Sequence, residues 1–385
     1  MASLSYYKNI IEDYQIGEII ALPKGSSTPE GFLKCDGNVV SQTTYSSLYN
    51  KIGLISDEII SNLTPWSIAT TGIGTDLHTI MYGNGLYVAA GFDGTVITST
   101  DAVTWSTQNP IAGLPFISSS IFANNVYILG TPGAPSGTLY TSSNGTTWTA
   151  RSTGLNSTRA LTYIPETGLF IVGGSANGNN TIATSTDAIS WTPINKGNNT
   201  EVVSLVYGNG TYVYSGPSGN VGYSYDLVTW THGTTATGAT QMNKLVYGKN
   251  MFLGITSTLN SYFTSKDGIS WTRRFVSTSE LDSEDSTWQN VTYGEGVFVL
   301  VGIGEIATSK DGIKWQIGNS GTISHITSIS YGNNLMVFCT LGGTGQNQSS
   351  VGRKAISSYN ISTEFKLPQK NPNKNLDLDF FIKAT

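Results

Sequence analysis

The chain reads as an all-β protein: a seven-bladed β-propeller of four-stranded blades, inserted into a small α+β domain. Three observations say so. One pattern of about 40 residues recurs six times along the 385-residue chain. Each copy opens on a hairpin signal such as "TIMYGNGLYVAAG". The two ends of the array hold incomplete copies that complement one another. Four strands in a unit of roughly 40 residues is the period of a propeller blade.

The six complete copies end in "STDAVTW", "SSNGTTW", "STDAISW", "SYDLVTW", "SKDGISW" and "SKDGIKW". They pair Asp101 with Trp105, Asn144 with Trp148, Asp187 with Trp191, Asp226 with Trp230, Asp267 with Trp271 and Asp311 with Trp315. Successive tryptophans are 43, 43, 39, 41 and 44 residues apart. Within each copy, an apolar run meets a two-residue Asn-Gly type turn and a second apolar run, the strongest short-range hairpin signal. A Gly-rich loop and a short third strand follow ("VITST", "IATST", "IATSK"). The Asp or Asn then accepts backbone N–H bonds within its own turn, and Ser does so more weakly, which fixes the passage to a fourth strand. The Trp opening that strand is expected to bury on the order of 150–250 Å² between neighbouring blades. These residues therefore read as fold devices, not as catalytic or ligating groups.

The seventh blade is assembled from both ends. "ITSISYGNNLMVFCTLGG" and "GRKAISSYN" supply three strands without a Trp, and "SNLTPWSIATTG" supplies a lone fourth strand at Trp66, 39 residues before Trp105. Joining them closes the circle and removes a free sheet edge.

Strand order then divides the loops. Turns between strands one and two and between three and four share one face, which carries the short repeated "YGNG", "YGKN" and "YGEG" turns and the Asp turns. The opposite face carries the length variation, in "GTPGAPSGT", "GSANGNNT", "TSTLNSY", "LGGTGQNQSSVGRK", "TQNPIAGLPF" and "FVSTSELDSEDSTW". Irregular loops on a rigid ring are where binding usually resides. The receptor-face candidates are accordingly Phe92, Asp93, Asn177, Asn179, Tyr262, Trp288 and Arg353. Trp288 has two readings, as a sugar-stacking surface or as a ring buried beneath the acidic loop. The chain should enter and leave the ring on the regular face.

Composition narrows the function. A net charge of −5 and a charged fraction of 12% give no electrostatic footprint for nucleic acid or an anionic membrane. No run approaches the roughly 18 apolar residues of a membrane span, and the N-terminus lacks the apolar region of a secretion signal. Cys35 and Cys339 are too few for a disulfide framework and are expected as buried thiols. The five arginines (Arg151, Arg159, Arg273, Arg274 and Arg353) are dispersed, and the three histidines (His78, His232 and His325) have no metal-ligand spacing. "SELDSED" lacks the alternating ligands and central Gly of a calcium loop. No catalytic residue, metal or cofactor is assigned, and the chain reads as a non-enzyme.

Residues 17 to 53 match nothing in the repeat: "GEIIAL" reads as a strand, "STPEGF" as a turn and "SQTTYSSLYNKIG" as a short helix ending at Gly53. This segment resembles the phage tail collar domain, through Gly17, Glu18, Pro29, Gly31, Phe32, Leu33, Cys35, Asp36, Gly37, Tyr45, Leu48 and Gly53. The C-terminal "FKLPQKNPNKNLDLDFFIKAT" resembles the ending of that family. The collar is thus expected to be split around the propeller: an attachment segment at 1–16, collar parts at 17–58 and 361–385, and the ring at 59–360. The blades in turn resemble the Asp-box propellers, with a spacing one residue tighter than the sialidase pattern. The resemblance implies a bacteriophage tail fibre or receptor-binding protein located in the virion and synthesised in the host cytoplasm. Its implied partners are other tail proteins, a host-surface glycan or protein, and its own copies, a trimer being favoured. The alternatives are a tail or baseplate assembly protein without receptor binding, and a sialidase-like glycan hydrolase.

Overall fold

The computed structural model describes residues 66–108, 110–133, 137–235, 241–256, 260–276, 288–294, 296–322, 324–333, 335–342 and 349–355, with 19–23, 27, 32–35, 39–41, 44–45, 364–366 and 378–383. The chain divides into two compact units, Asn62–Ala355 and the combination of Met1–Ser61 with Ile356–Thr385.

The larger unit is a ring of seven four-stranded antiparallel sheets. Six blades are continuous in sequence. Their first strands are Leu77–Gly83, Ser119–Ala123, Ala160–Ile164, Ser204–Gly208, Met242–Gly248 and Trp288–Gly294. The seventh blade joins Ile326–Gly332, Leu335–Thr340 and Ser350–Ala355 to Ser67–Thr70, with Arg353 opposite Ser67 and Ser350 opposite Thr70. Both ends of the described propeller, Trp66 and Ala355, therefore lie on the face of the Asp turns.

The hairpins have the backbone their sequences call for. Asn84 and Gly85 both have positive φ, at 46° and 78°, as do Asn209 and Gly210, at 49° and 75°, the signature of a type I′ turn that matches strand twist. The Tyr-Gly pair before five of these turns has a second use. A Cβ on Gly83, Gly208, Gly248 or Gly332 would sit 2.0–2.4 Å from the ring of Phe122, Tyr247, Tyr293 or Tyr82 in the next blade. Each glycine thus seats the aromatic of its neighbour, and the Tyr82–Gly332 contact carries this arrangement across the closure.

The Asp turns form as their chemistry predicts. Val103 and Thr104 donate backbone N–H bonds to Asp101 Oδ1 at 2.8 and 2.9 Å, while Ser99 Oγ donates to the same oxygen and accepts from the Ala102 N–H. Asn144 does the same work uncharged, accepting from Thr146 and Thr147 at 3.0 and 2.9 Å. The tryptophans pack between consecutive blades: Trp148 joins Met81, Val88 and Leu129, and Trp105 joins Val337, Cys339 and Val351 across the closure. Trp66 and Trp315 are buried, whereas the other five repeat tryptophans are half-buried at the rim. Cys339 is a buried thiol outside any disulfide, whose pKa burial pushes up to about 12, and Cys35 is also buried and outside any disulfide.

The smaller unit is knit from both chain ends. Leu378–Lys383 lies between Ile19–Pro23 and Phe32–Lys34 in a three-stranded sheet, with Ile19 opposite Ile382 and Phe32 opposite Lys383. Val39–Ser41 pairs with Glu364–Lys366. Phe32 and Cys35 are buried. Ser41 Oγ accepts the Thr44 N–H at 3.2 Å and its carbonyl accepts the Tyr45 N–H, the contacts of a chain turning out of a strand. The helix expected over residues 41–53 lies mostly outside the described residues, as do Pro29, Gly31, Asp36, Gly37 and the acidic segment 279–285.

Candidate functional site

The first strands line the axis of the ring, and their register decides which side chains reach it. In four blades a β-bulge interrupts that strand, between Leu77 and Thr79, Met242 and Lys244, Trp288 and Asn290, and Ile326 and Ser328. An extra residue in one strand re-aims the side chains beside it. The residue before the extra one stays in the core, and two polar residues follow. Asn243 and Lys244, and Gln289 and Asn290, come to line one axial cavity of about 710 Å³, together with His78 and Thr327 from the other two bulged strands and with Ser118, Ser119, Arg159, Ser204 and Gln241. All seven blades contribute. Because these residues lie before the Tyr-Gly hairpins in their strands, the cavity opens on the face of the long loops.

The wall is cross-braced by hydroxyl and amide groups. Thr79 and Ser120 share a hydrogen bond, Ser204 Oγ accepts the Leu245 N–H at 3.0 Å, Asn290 Nδ2 donates to the Thr327 carbonyl at 3.0 Å, and Thr327 Oγ1 donates to the Leu77 carbonyl at 2.7 Å. Charge in the cavity is mostly basic. Arg159 Nε donates to Glu201 at 2.9 Å. Lys244 has no carboxylate or hydrogen-bond partner among the described residues, and burial lowers its pKa. The contrast is Lys196, buried between blades three and four, which donates to the Asn198 carbonyl and side chain and lies 4.8 Å from the Tyr214 ring centre.

One side of the mouth is aromatic. His78 meets the rings of Phe92 and Phe116 edge-on at 5.0 and 4.4 Å, and Phe92 and Phe116 are joined by a β-bridge. His78 Nε2 is buried without a hydrogen-bond partner, and burial lowers the imidazole pKa, against the opposing pull of the Asp76 carboxylate.

The structure separates the receptor-face candidates. Phe92 is 41% exposed and borders the mouth, and Asp93 is exposed beside it with a left-handed backbone at φ 53°. Asn177 and Asn179 are exposed at the tip of a long hairpin, where Asn177 Nδ2 reaches the Gly154 carbonyl. Three candidates are corrected. Tyr262 is fully buried because it points between blades five and six, where its hydroxyl accepts from Trp315 Nε1 at 2.9 Å. Trp288 is 1% exposed because it fills the core position held by Leu77, Met242 and Ile326 in other blades, with Nε1 donating to Asn260 Oδ1. Arg353 sits near the end of its strand, opposite Ser67, on the Asp-turn face. Sequence reasoning missed Lys244, Arg159, His78 and the amides of the wall. Aligning the repeats on the ends of their first strands would have exposed most of them as polar residues at two adjacent registers.

Residues 17–55 match the family Phage Tail Collar Domain. That segment is similar to phage tail collar domains. The collar domain accounts for the N-terminal part of the smaller unit and supports a tail component of a phage virion. No curated protein sequence matches the chain. Among solved structures, the propeller is similar to a streptogramin B lyase, with a TM-score of 0.63 and 10% identity over 75% of this chain and 98% of that one. It is also similar to YCF48 bound to D1 peptide, at 0.59 and 13% over 78% and 98%. A third likeness is to a catalytically inactive virginiamycin B lyase from Staphylococcus aureus with quinupristin, at 0.61 and 10% over 75% and 99%. At such identities the likeness shows the propeller fold alone, shared by enzymes and by a peptide-binding protein, and the collar domain is what points to a structural role.

Proposed function

We propose that the protein is a receptor-binding component of a phage tail. Its collar domain attaches it to other tail proteins and to its own copies, and its propeller presents the long-loop face to a host-surface glycan or protein. The observation that carries this reading is a division of labour within the ring. The chain ends leave from the Asp-turn face, while the axial cavity, Phe92, Asp93 and the Asn177–Asn179 tip gather on the other. A ring tethered on one face keeps the opposite face available to a partner. A homotrimer adds avidity: three weak sites on one assembly gain on the order of 10²–10⁴ over a single site. The proposed role is non-catalytic: the described cavity wall supplies amides, hydroxyls and cations, and Glu201, behind it, is already paired with Arg159.

The test is saturable binding of the labelled, purified protein to susceptible cells, with phage adsorption and reducing-sugar release measured in parallel. Binding that blocks adsorption and releases no sugar is the expected result. Absence of binding by the intact oligomer would leave the protein a tail-assembly element, and sugar release would make it a glycan hydrolase.

A further inference from the structure

The axial cavity carries chemistry that its role in closing the ring does not use. Lys244 lines the wall half-buried, with no hydrogen-bond or carboxylate partner among the described residues. An ammonium partly withdrawn from water without a counter-charge is unfavourable, and the same chain shows the usual remedy for a fully buried one at Lys196, where a carbonyl, an amide and an aromatic face surround the amine. Nothing in the fold requires a lysine at this register, because Thr79, Ser119, Ala160, Ser204, Asn290 and Ser328 occupy it in the other six blades. The Arg159 guanidinium lines the same cavity and is joined by Nε to Glu201, so among the described residues the charge there sums to one unpaired cation. Asp76 is turned aside, accepting the Gly342 N–H at 2.7 Å.

The rest of the wall suits a sugar. Gln241, Asn243, Gln289 and Asn290 bring side-chain amides to the cavity, and Phe116 brings an aromatic face at its edge. Amides recognise hydroxyls and an aromatic ring packs on the C–H face of a pyranose, while about 710 Å³ lies within the usual range of small-ligand sites. We infer that the axial cavity binds an anionic saccharide unit, whose carboxylate or phosphate pairs with Lys244 while its hydroxyls meet the amide wall. This rests on the reading of the loop face as the receptor-binding face, and it names the chemistry that face would select.

The experiment is calorimetric titration of the full chain at low ionic strength with glucuronate, glucose 6-phosphate and glucose as probes. At least one anionic probe should bind roughly tenfold or more tighter than glucose, as expected of a hydrogen bond to a charged group, and which of the two binds distinguishes carboxylate from phosphate. Lys244→Met should abolish that preference while leaving Lys196 and the thermal midpoint near wild type, and Lys244→Arg should keep it. The inference is overturned if neither anion binds better than glucose to the wild-type protein, a comparison that needs no variant to fold. It is equally overturned if Lys244→Met retains the preference. Cell adsorption of the same proteins separates the two readings. Adsorption that survives Lys244→Met unchanged would sink the anionic site and leave the adhesin, whereas anion binding without any adsorption would leave the site and sink the adhesin.

Discussion

At the scale of single residues, the Asp turn shows how one acceptor organises a strand crossing. The carboxylates of Asp101, Asp187 and Asp226 are held down at about 2, chiefly by the backbone N–H groups that donate to them. A carboxylate with a depressed native pKa binds fewer protons folded than unfolded. Its stabilisation is complete above the unfolded value near 4 and is lost as pH falls toward 2. Replacing all three by Asn, which Asn144 shows to be a competent acceptor, should change the melting temperature little at pH 7. Between pH 4 and 2 the variant should lose less of its melting temperature than wild type, as followed by circular dichroism. An equal loss in both proteins would mean that other carboxylates govern acid unfolding. These turns were legible in sequence because all their partners lie within three residues. Tyr262 was misread, and of the two readings of Trp288 the buried one holds, because an aromatic beside an irregular loop gives no sign of which way its strand points.

At the scale of elements, the hairpin was legible and its packing partner was not. "YGNG" announces the turn by itself, but the reason for Gly208 is the Tyr247 ring of the next blade, 39 residues further along the chain and beyond any local pattern. The seven blades offer an internal comparison. A Cβ at position 208 would sit 2.2 Å from Tyr247, whereas one at position 294 would lie 3.5 Å from Tyr331, in ordinary contact. Gly208→Ala should therefore cost about 1–3 kcal/mol, as overpacking does. Gly294→Ala should be neutral or slightly stabilising through the lower entropy of the unfolded chain. Urea denaturation of the two variants checks this, and equal midpoints would mean that the aromatic rings move aside freely. The bulges of the first strands belong to this scale too. In two blades they turn an alternating pattern into a pair of polar residues on the cavity wall, Asn243 with Lys244 and Gln289 with Asn290, so the wall could not be read by counting alternate positions.

At the scale of the whole molecule, closure was legible because the two ends of the array lack complementary strands, and the structure supplies the partners. Ser67–Thr70 completes the seventh blade, while Thr327 Oγ1 and Tyr87 Oη bond across the seam to the Leu77 and Gly332 carbonyls at 2.7 and 2.6 Å. Removing residues 1–71 exposes Ser350–Ala355 as an unpaired edge. The truncated chain should melt earlier and self-associate in light scattering, and a monomer of unchanged melting temperature would mean that the seam alone holds the ring. The axial cavity was not legible, since residues as distant as His78 and Thr327 share a wall only once the circle is complete.

The pairing of Arg353 with Ser67 has a consequence for how such a chain is remodelled. Nearly 290 residues of propeller begin and end on neighbouring strands of one sheet, so the remaining sequence meets the ring as it would meet the two ends of a single hairpin. Recombination at those two points could trade one ring for another, or for a short turn, without altering the strand order of the sheet built from Ile19–Pro23, Leu378–Lys383 and Phe32–Lys34. The propeller is thus an exchangeable cassette, whose replacement leaves the sequence of that three-stranded sheet untouched.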